Sequence, residues 1–275
     1  GWAHGFNFAG RKFIYCHSPA RWLYLSDQYL GEKSTGPVPL LLKTLRPALM
    51  LWDHWAAHRS AVYVANASVI KKRIENVYGK KDVPIFFPPH SVDAAAPVEP
   101  IPGLEEFTES DDYFLIVSRL LPYKNVDKAI EACNELGKKL LVIGRGPEKE
   151  HLEALAGPTI RIASGVSDAQ LRYAYRHCLA LLAISYEDFG ITPLEAGASG
   201  KAVIAYRAGG FLDTIQEGKT GMFINQPTVE HLVEALKAFN PDDWDADYIR
   251  EHVDGFSEAR FISRLKTYVQ ALPED

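Results

Sequence analysis

Short apolar runs alternate with amphipathic stretches along most of the chain. Before residue 83 the pattern predicts a buried strand at Phe13–Cys16, a helix over Pro47–Arg59, a strand at Ala61–Val64 and a helix over Ser68–Tyr78. After residue 104 the alternation is clearer. Tyr113–Val117 reads as a strand. Asn125 then stands at the cap position of a helix in which Val126, Ala129, Ile130, Cys133 and Leu136 follow the 3.6-residue period, with Gly137 as its stop. Leu140–Ile143 predicts a strand, and Pro147 sits where proline is tolerated at the start of a helix. Ile160–Ile162 predicts a strand, and Ser167-Asp168-Ala169-Gln170 a capping box opening the next helix. Leu179–Ile184 and Ala202–Ala205 are further strands, and Thr192-Pro193-Leu194-Glu195 opens the helix between them. The last stretch, Phe256–Leu272, predicts an amphipathic helix with Phe261, Leu265, Tyr268 and Val269 on one face. Apolar strands alternating with capped helices predict an α/β fold with parallel sheets covered on both faces. In such sheets ligands bind where loops leave the C-terminal strand ends.

Six prolines fall between Val83 and Gly103, and proline neither continues a helix nor sits in a central strand. This stretch predicts a linker entered through a short strand, Ile85–Phe87. The expected division is residues 1–103 as a partial N-terminal domain with its linker, 104–254 as a second domain, and 255–275 as a C-terminal helix.

Composition narrows the class. The longest apolar run, Cys178–Ile184, is far shorter than the ~20 residues of a membrane span. The 3 cysteines are an odd count without paired spacing, which makes a disulfide scaffold or zinc knuckle the lesser expectation and a reducing cytosol the default. A net charge of −5 argues against a nucleic-acid partner. Residues 1–104 carry 12 basic and 7 acidic side chains, a surplus of five positive charges. The run Lys71-Lys72-Arg73 with Lys80-Lys81 is either a solvated helix face or a contact for an anionic membrane. The chain opens at Gly1-Trp2 without Met, as expected of a processed form or a fragment.

Three constellations carry candidate chemistry. In Glu187-Asp188-Phe189-Gly190-Ile191-Thr192-Pro193-Leu194-Glu195, one glutamate lies in a loop leaving a strand and the other in the first turn of the next helix. A carboxylate accepts both hydrogens of a vicinal diol, and amides at a helix start suit an anion. Equally, Glu195 stands where the acidic member of a capping box would stand, and Glu187-Asp188 where any acidic loop would. In Ser118-Arg119-Leu120-Leu121-Pro122-Tyr123-Lys124-Asn125, Arg119 and Lys124 flank a tight loop. A planar fork and a compact ammonium are the two usual ways to hold a diphosphate, although two solvated cations would look the same. In Tyr15-Cys16-His17-Ser18-Pro19, His17 ends a strand, either as a hydrogen-bonded core group or as a donor to developing negative charge.

Together these pieces, with Gly144-Arg145-Gly146-Pro147, Gly197-Ala198-Ser199-Gly200-Lys201 and Gly209-Gly210, resemble the retaining nucleotide-sugar glycosyltransferases of family 4. The piece Tyr15–Pro19 with Arg21-Trp22 is similar to a mannosyltransferase-like branch of that family. The resemblance implies a GT-B fold of two Rossmann-like domains, the front one truncated here, and a C-terminal helix that crosses back to the front domain. It implies transfer of a sugar, mannose from GDP-mannose in that branch, to a glycan or lipid-linked acceptor with retained configuration, as in polysaccharide biosynthesis. It also implies a cytoplasmic enzyme, or one peripheral at the inner membrane face, touching the membrane through its N-terminal half.

By the same resemblance Arg119 and Lys124 hold the donor diphosphate. Glu187 binds the transferred sugar, and Phe189, Gly190 and Ile191 present main-chain amides. Glu195 takes the ribose hydroxyls, the backbone near Val166 meets the base, and His17 contacts the donor sugar near the reacting centre. No metal or other cofactor is implied. Three departures stand out: Asp213 where the family has glutamate, Lys201 where proline is common, and a front domain that begins partway through. The alternatives are a donor-binding fragment without turnover and a GT-B epimerase. A phosphorylase would want a pyridoxal-bound lysine, for which the sequence offers no candidate.

Overall fold

The computed structural model describes residues 3–5, 12–24, 37–59 and 61–272. The chain divides into two compact units, Gly1–Phe87 and Pro88–Asp275.

In the first unit, a 3-10 turn at Ala3–Gly5 precedes strand β1 (Lys12–Cys16), helix α1 (Arg21–Tyr24), helix α2 (Pro37–His58), strand β2 (Ala61–Ala65) and helix α3 (Ser68–Tyr78). The strands run parallel, with Lys12 opposite Ala61 and Cys16 opposite Ala65. Helix α2 begins ten residues before the sequence pattern placed it and carries Pro47 inside it. The expected strand Ile85–Phe87 reduces to one bridge, Ile85 beside Ala65, because Pro84 and Pro88 flank it and cannot donate to a ladder. Helix α3 ends at Gly79 in the left-handed conformation, the usual glycine stop. Beneath these elements Asp53, fully buried, accepts hydrogen bonds from Tyr24 (2.7 Å) and Tyr78 (2.9 Å), and its other oxygen lies 3.0 Å from His4 Nε2. Gly1 and Trp2 lie outside the described residues.

The second unit follows the predicted alternation: α4 (Glu105–Thr108), β3 (Tyr113–Val117), α5 (Val126–Leu136), β4 (Lys139–Ile143), α6 (Lys149–Leu155), β5 (Ile160–Ala163), α7 (Asp168–His177), β6 (Leu181–Ala183), α8 (Thr192–Ala198), β7 (Val203–Tyr206), α9 (Phe211–Thr214), β8 (Gly221–Ile224), α10 (Val229–Ala238), α11 (Ala246–Asp254) and α12 (Glu258–Ala271). Its sheet has six parallel strands in the order β5-β4-β3-β6-β7-β8. Successive side chains alternate across it. Phe114 and Ile116 of β3 enter one core with Val126, Ile130 and Cys133 of α5. Tyr113 and Leu115 enter the other with Tyr175 and Cys178.

The chain lays down β3, β4 and β5 in one direction, returns to place β6 beside β3, and continues the other way. The loops leaving β3 and β6 therefore start side by side at the switch point, the place where open α/β sheets bind ligands. The proline-rich stretch is fastened to this unit through main-chain oxygens: Arg172 donates to Pro97 O (3.1 and 2.9 Å) and Arg176 to Ala94 O (2.6 Å).

Some local expectations change. Helix α6 starts at Lys149, with Pro147 in the preceding turn. Asn125 precedes α5 but does not cap it with its side chain. Its φ is +55°, and its amide donates instead to Ile184 O at 2.9 Å. The capping box at Ser167 and Gln170 is present with both bonds. On α12, Phe261, Leu265 and Tyr268 are half-buried while Val269 is exposed, so the apolar face is narrower than the sequence suggested.

Candidate functional site

The loop after β3 and the loop after β6 meet at the switch point. Lys124 and Glu187 form an ion pair through Nζ and Oε1. Their side chains are only 11% and 25% exposed, so the pair is partly shielded and screened less than a surface pair. Ser185 Oγ donates to the same Glu187 oxygen at 2.7 Å. Arg119 is exposed and joins the group indirectly, its guanidinium donating to Tyr123 Oη at 3.1 Å, with Tyr123 next to Lys124 in the chain. The Asn125–Ile184 bond ties the two loops at their roots.

Glycines shape both loops. Gly144 and Gly146 lie against the backbone of Ser118 and Leu120, where any Cβ would overlap the main chain. Leu120 N donates to Arg145 O at 2.9 Å, and Ser164 Oγ to Gly144 O at 2.6 Å. The Gly144-x-Gly146 piece is thus a packing device that props the Arg119 loop. On the other side, Gly209 (φ +64°) and Gly210 press against the backbone of Glu187 and Phe189, and Gly210 N donates to Glu187 O at 2.8 Å. Gly190 (φ +77°) takes a left-handed turn that leaves no room for a Cβ beside the Phe211 ring. Phe189 is buried, and the amides of Gly190 and Ile191 donate no hydrogen bond among the described residues.

Glu195 lies in the first turn of α8. The capping-box alternative fails, because α8 is preceded by Ile191 without a side-chain cap and Glu195 Oε2 is engaged elsewhere. It accepts a 2.7 Å hydrogen bond from Tyr175 Oη. Burial raises the Glu195 carboxyl above its ordinary value, and the Tyr175 bond offsets part of that rise. Val166 sits between Gly165 (φ +71°) and the Ser167 cap and packs partly against the Tyr175 side of the core.

In the first unit His17 is exposed just past the end of β1. Its Nδ1 lies 3.3 Å from Asn66 Nδ2, and Tyr15 meets its ring edge-on with centroids 5.1 Å apart. Of the basic run nearby, Arg73 donates to Ser18 Oγ at 3.1 Å, Lys71 pairs with Glu75 at 3.9 Å, and Lys80 covers the Tyr63 ring at 4.8 Å.

A family model described as glycosyl transferases group 1 matches residues 100–253, more than half of the chain. The chain belongs to that family. It is 33% identical over 133 residues to glycogen synthase of Pseudomonas syringae, a match covering 45% of this chain and 27% of the relative. It is 30% identical over 138 residues to a GDP-mannose-dependent alpha-(1-6)-phosphatidylinositol monomannoside mannosyltransferase of Mycobacterium tuberculosis, covering 44% of this chain and 36% of that protein. These matches therefore span well under half of either curated relative. Among solved structures, sucrose-phosphate synthase of Thermosynechococcus elongatus aligns with a TM-score of 0.74 at 18% identity, covering 96% of this chain and 68% of the other. The likeness bears on fold alone, and the fold is α/β with parallel sheets, of GT-B type. No helix among the described residues is long and apolar enough to cross a membrane.

Sequence reasoning named Arg119, Lys124, Glu187 and Glu195 but not Tyr123, Ser185 or Tyr175, which hold them. Tyr175 had a signal in principle, a polar-tipped ring on the inner face of a capped helix, but its apolar surroundings read equally well as core.

Proposed function

We propose that this glycosyltransferase-family chain moves a sugar from a nucleotide donor to a hydroxyl acceptor with retained configuration. The Lys124–Glu187 pair at the switch point carries the reading. It offers a cation and a sugar-gripping carboxylate as one charge-balanced unit. When a nucleotide sugar enters, Lys124 turns to the diphosphate and Glu187 to the sugar hydroxyls, so neither group is left buried and uncompensated. Arg119 adds its fork to the diphosphate, and the Phe189–Gly190–Ile191 main chain lies against sugar and phosphate. Glu195 takes the ribose, and the backbone at Val166 the base. The acceptor hydroxyl attacks on the face from which the diphosphate leaves, while Arg119 and Lys124 offset the charge that develops on it. No metal or other cofactor enters this scheme.

The donor is GDP-mannose in this proposal. The Tyr15–Pro19 piece and the likeness to the mycobacterial mannosyltransferase support it. The acceptor is a glycan or lipid-linked sugar, reached at an anionic membrane surface through the basic N-terminal half.

The test is to measure GDP-mannose binding by thermal shift and mannosyl transfer to lipid-linked and glycan acceptors for the chain, Lys124→Ala and Glu187→Ala. Each variant is expected to lose at least ~100-fold in turnover, the usual effect of removing a transition-state contact. Near-normal transfer by either overturns the role assignment. Binding without transfer by the parent chain reduces the proposal to donor binding.

A further inference from the structure

Glu195 is placed to meet a ribose only if its carboxylate is both ionised and fixed in rotation, and its surroundings work against the first requirement. One group counters this. Tyr175 is fully buried on α7, packed among Tyr113, Leu115, Cys178 and Ala196, and has no freedom to seek another acceptor. Its Oη stands 2.7 Å from Glu195 Oε2. Burial also keeps the phenol protonated, so it stays a donor throughout the working pH range. One carboxylate oxygen is thereby occupied from the protein side, which fixes the plane of the group and leaves Oε1 for a ligand.

We propose that Tyr175 is a positioning residue for nucleotide recognition: by holding Oε2 of Glu195, it sets how strongly the site distinguishes a ribonucleotide from its deoxy counterpart. The inference rests on the donor-site reading above and extends it to a residue that touches no ligand. A carboxylate free to rotate or protonate loses the paired acceptance of two hydroxyls, while contacts to diphosphate and base stay as they were. The loss must therefore appear only for ligands that carry the ribose hydroxyls.

The experiment titrates GDP and UDP, each beside its 2′,3′-dideoxy form, into the full 275-residue chain and into Tyr175→Phe across pH 4.5–8. The parent is expected to prefer the ribonucleotide by at least ~10-fold, as sites built to bond a hydroxyl do. Tyr175→Phe is expected to bind the ribonucleotide about 5–10-fold more weakly, one buried hydrogen bond's worth, with dideoxy binding unchanged. The acid fall-off of ribonucleotide binding should move to higher pH, because the bond that favours the ionised carboxylate is gone. In a Glu195→Gln background the same Tyr175 change should add nothing to the loss. A purely structural tyrosine would weaken both ligand forms alike in every background.

Installing 3-fluorotyrosine at position 175 keeps ring and hydroxyl while strengthening the donor, so it serves if Tyr175→Phe does not fold. It should move the acid fall-off to lower pH. An unchanged ribo-to-dideoxy ratio and fall-off in these variants overturns this inference alone. A parent chain that binds neither GDP nor UDP overturns the donor-site reading, and this inference falls with it.

Discussion

Replacing Gly209 by alanine should loosen the loop that carries Glu187, and Gly218 supplies the control. Both glycines have left-handed backbones, at φ +64° and +73°. An alanine forced into that region costs about 1 kcal/mol at either site. At Gly218 nothing lies within 4 Å of the added methyl, so the cost ends there. At Gly209 the methyl would stand closer than 3.0 Å to the Glu187 carbonyl oxygen, which is main chain and cannot rotate away. Relief of such overlaps typically adds 1–3 kcal/mol. The expected destabilisation is about 1 kcal/mol for Gly218→Ala and about 3 kcal/mol for Gly209→Ala. At the ~2–4 °C per kcal/mol usual for a unit of this size, the two melting points should separate by about 6 °C. The displaced carbonyl carries the Glu187 side chain away from Lys124, and misplacement on the order of 1 Å can cost about 100-fold in rate. Calorimetry of both variants, with nucleotide-sugar binding measured alongside, tests the chain of reasoning. Coincident melting curves with intact binding in Gly209→Ala would refute the claim that this glycine shapes the site.

Glu195→Gln should stabilise the protein at neutral pH while removing ribose recognition. Burial holds the folded carboxyl above the value of 4.5 expected when unfolded. The cost of ionising it is thus absent below about pH 4.5 and grows as pH rises through the folded value. Urea midpoints should favour the variant at pH 7 and converge with the parent near pH 4. Asp53→Asn should act in the opposite sense, destabilising by about 3 kcal/mol in urea titrations at pH 7, as breaking a buried polar network does. Burial alone would raise that carboxyl, but hydrogen bonds from His4, Tyr24 and Tyr78 outweigh it and leave it below 3.8. Its contribution is therefore present above that value and fades as pH falls through the still lower folded one, so parent and variant should converge only in strong acid.

The strand-helix alternation of the second unit was legible because its strands are short, wholly apolar runs and its helices carry caps and glycine stops. Tyr113–Val117 and the helix between Asn125 and Gly137 match residue for residue. Strand β8 escaped notice because Gly221–Ile224 is a four-residue edge strand with half-exposed positions, too short for periodicity to register, whereas helices α10 and α11 did carry a signal, their Thr228 and Asp245 caps, that sequence reasoning passed over. Asn125 misled for a physical reason. Asparagine caps helices, but it also tolerates a left-handed backbone, and the second property won because Ile184 O offered its amide a partner across the sheet. At the site, charged residues announced themselves by type and spacing. Their supports did not: Ser185 and Tyr123 lie only 2 and 4 residues from Glu187 and Arg119 but are ordinary loop residue types, while Tyr175 lies 20 residues from Glu195 and meets it only through folding. The Gly144-x-Gly146 piece entered the sequence reading only as part of a family resemblance, and its physical role is packing, with its glycines used up against Ser118 and Leu120.

Arg172 and Arg176 fasten the proline-rich stretch by reaching for carbonyl oxygens, which every amino acid carries. The attachment is consequently indifferent to the side chains at Ala94 and Pro97. Drift at those two positions can change polarity or bulk and still leave the stretch moored, and further main-chain bonds from Glu99 to Ala169 O and from His90 to Phe256 O share the load.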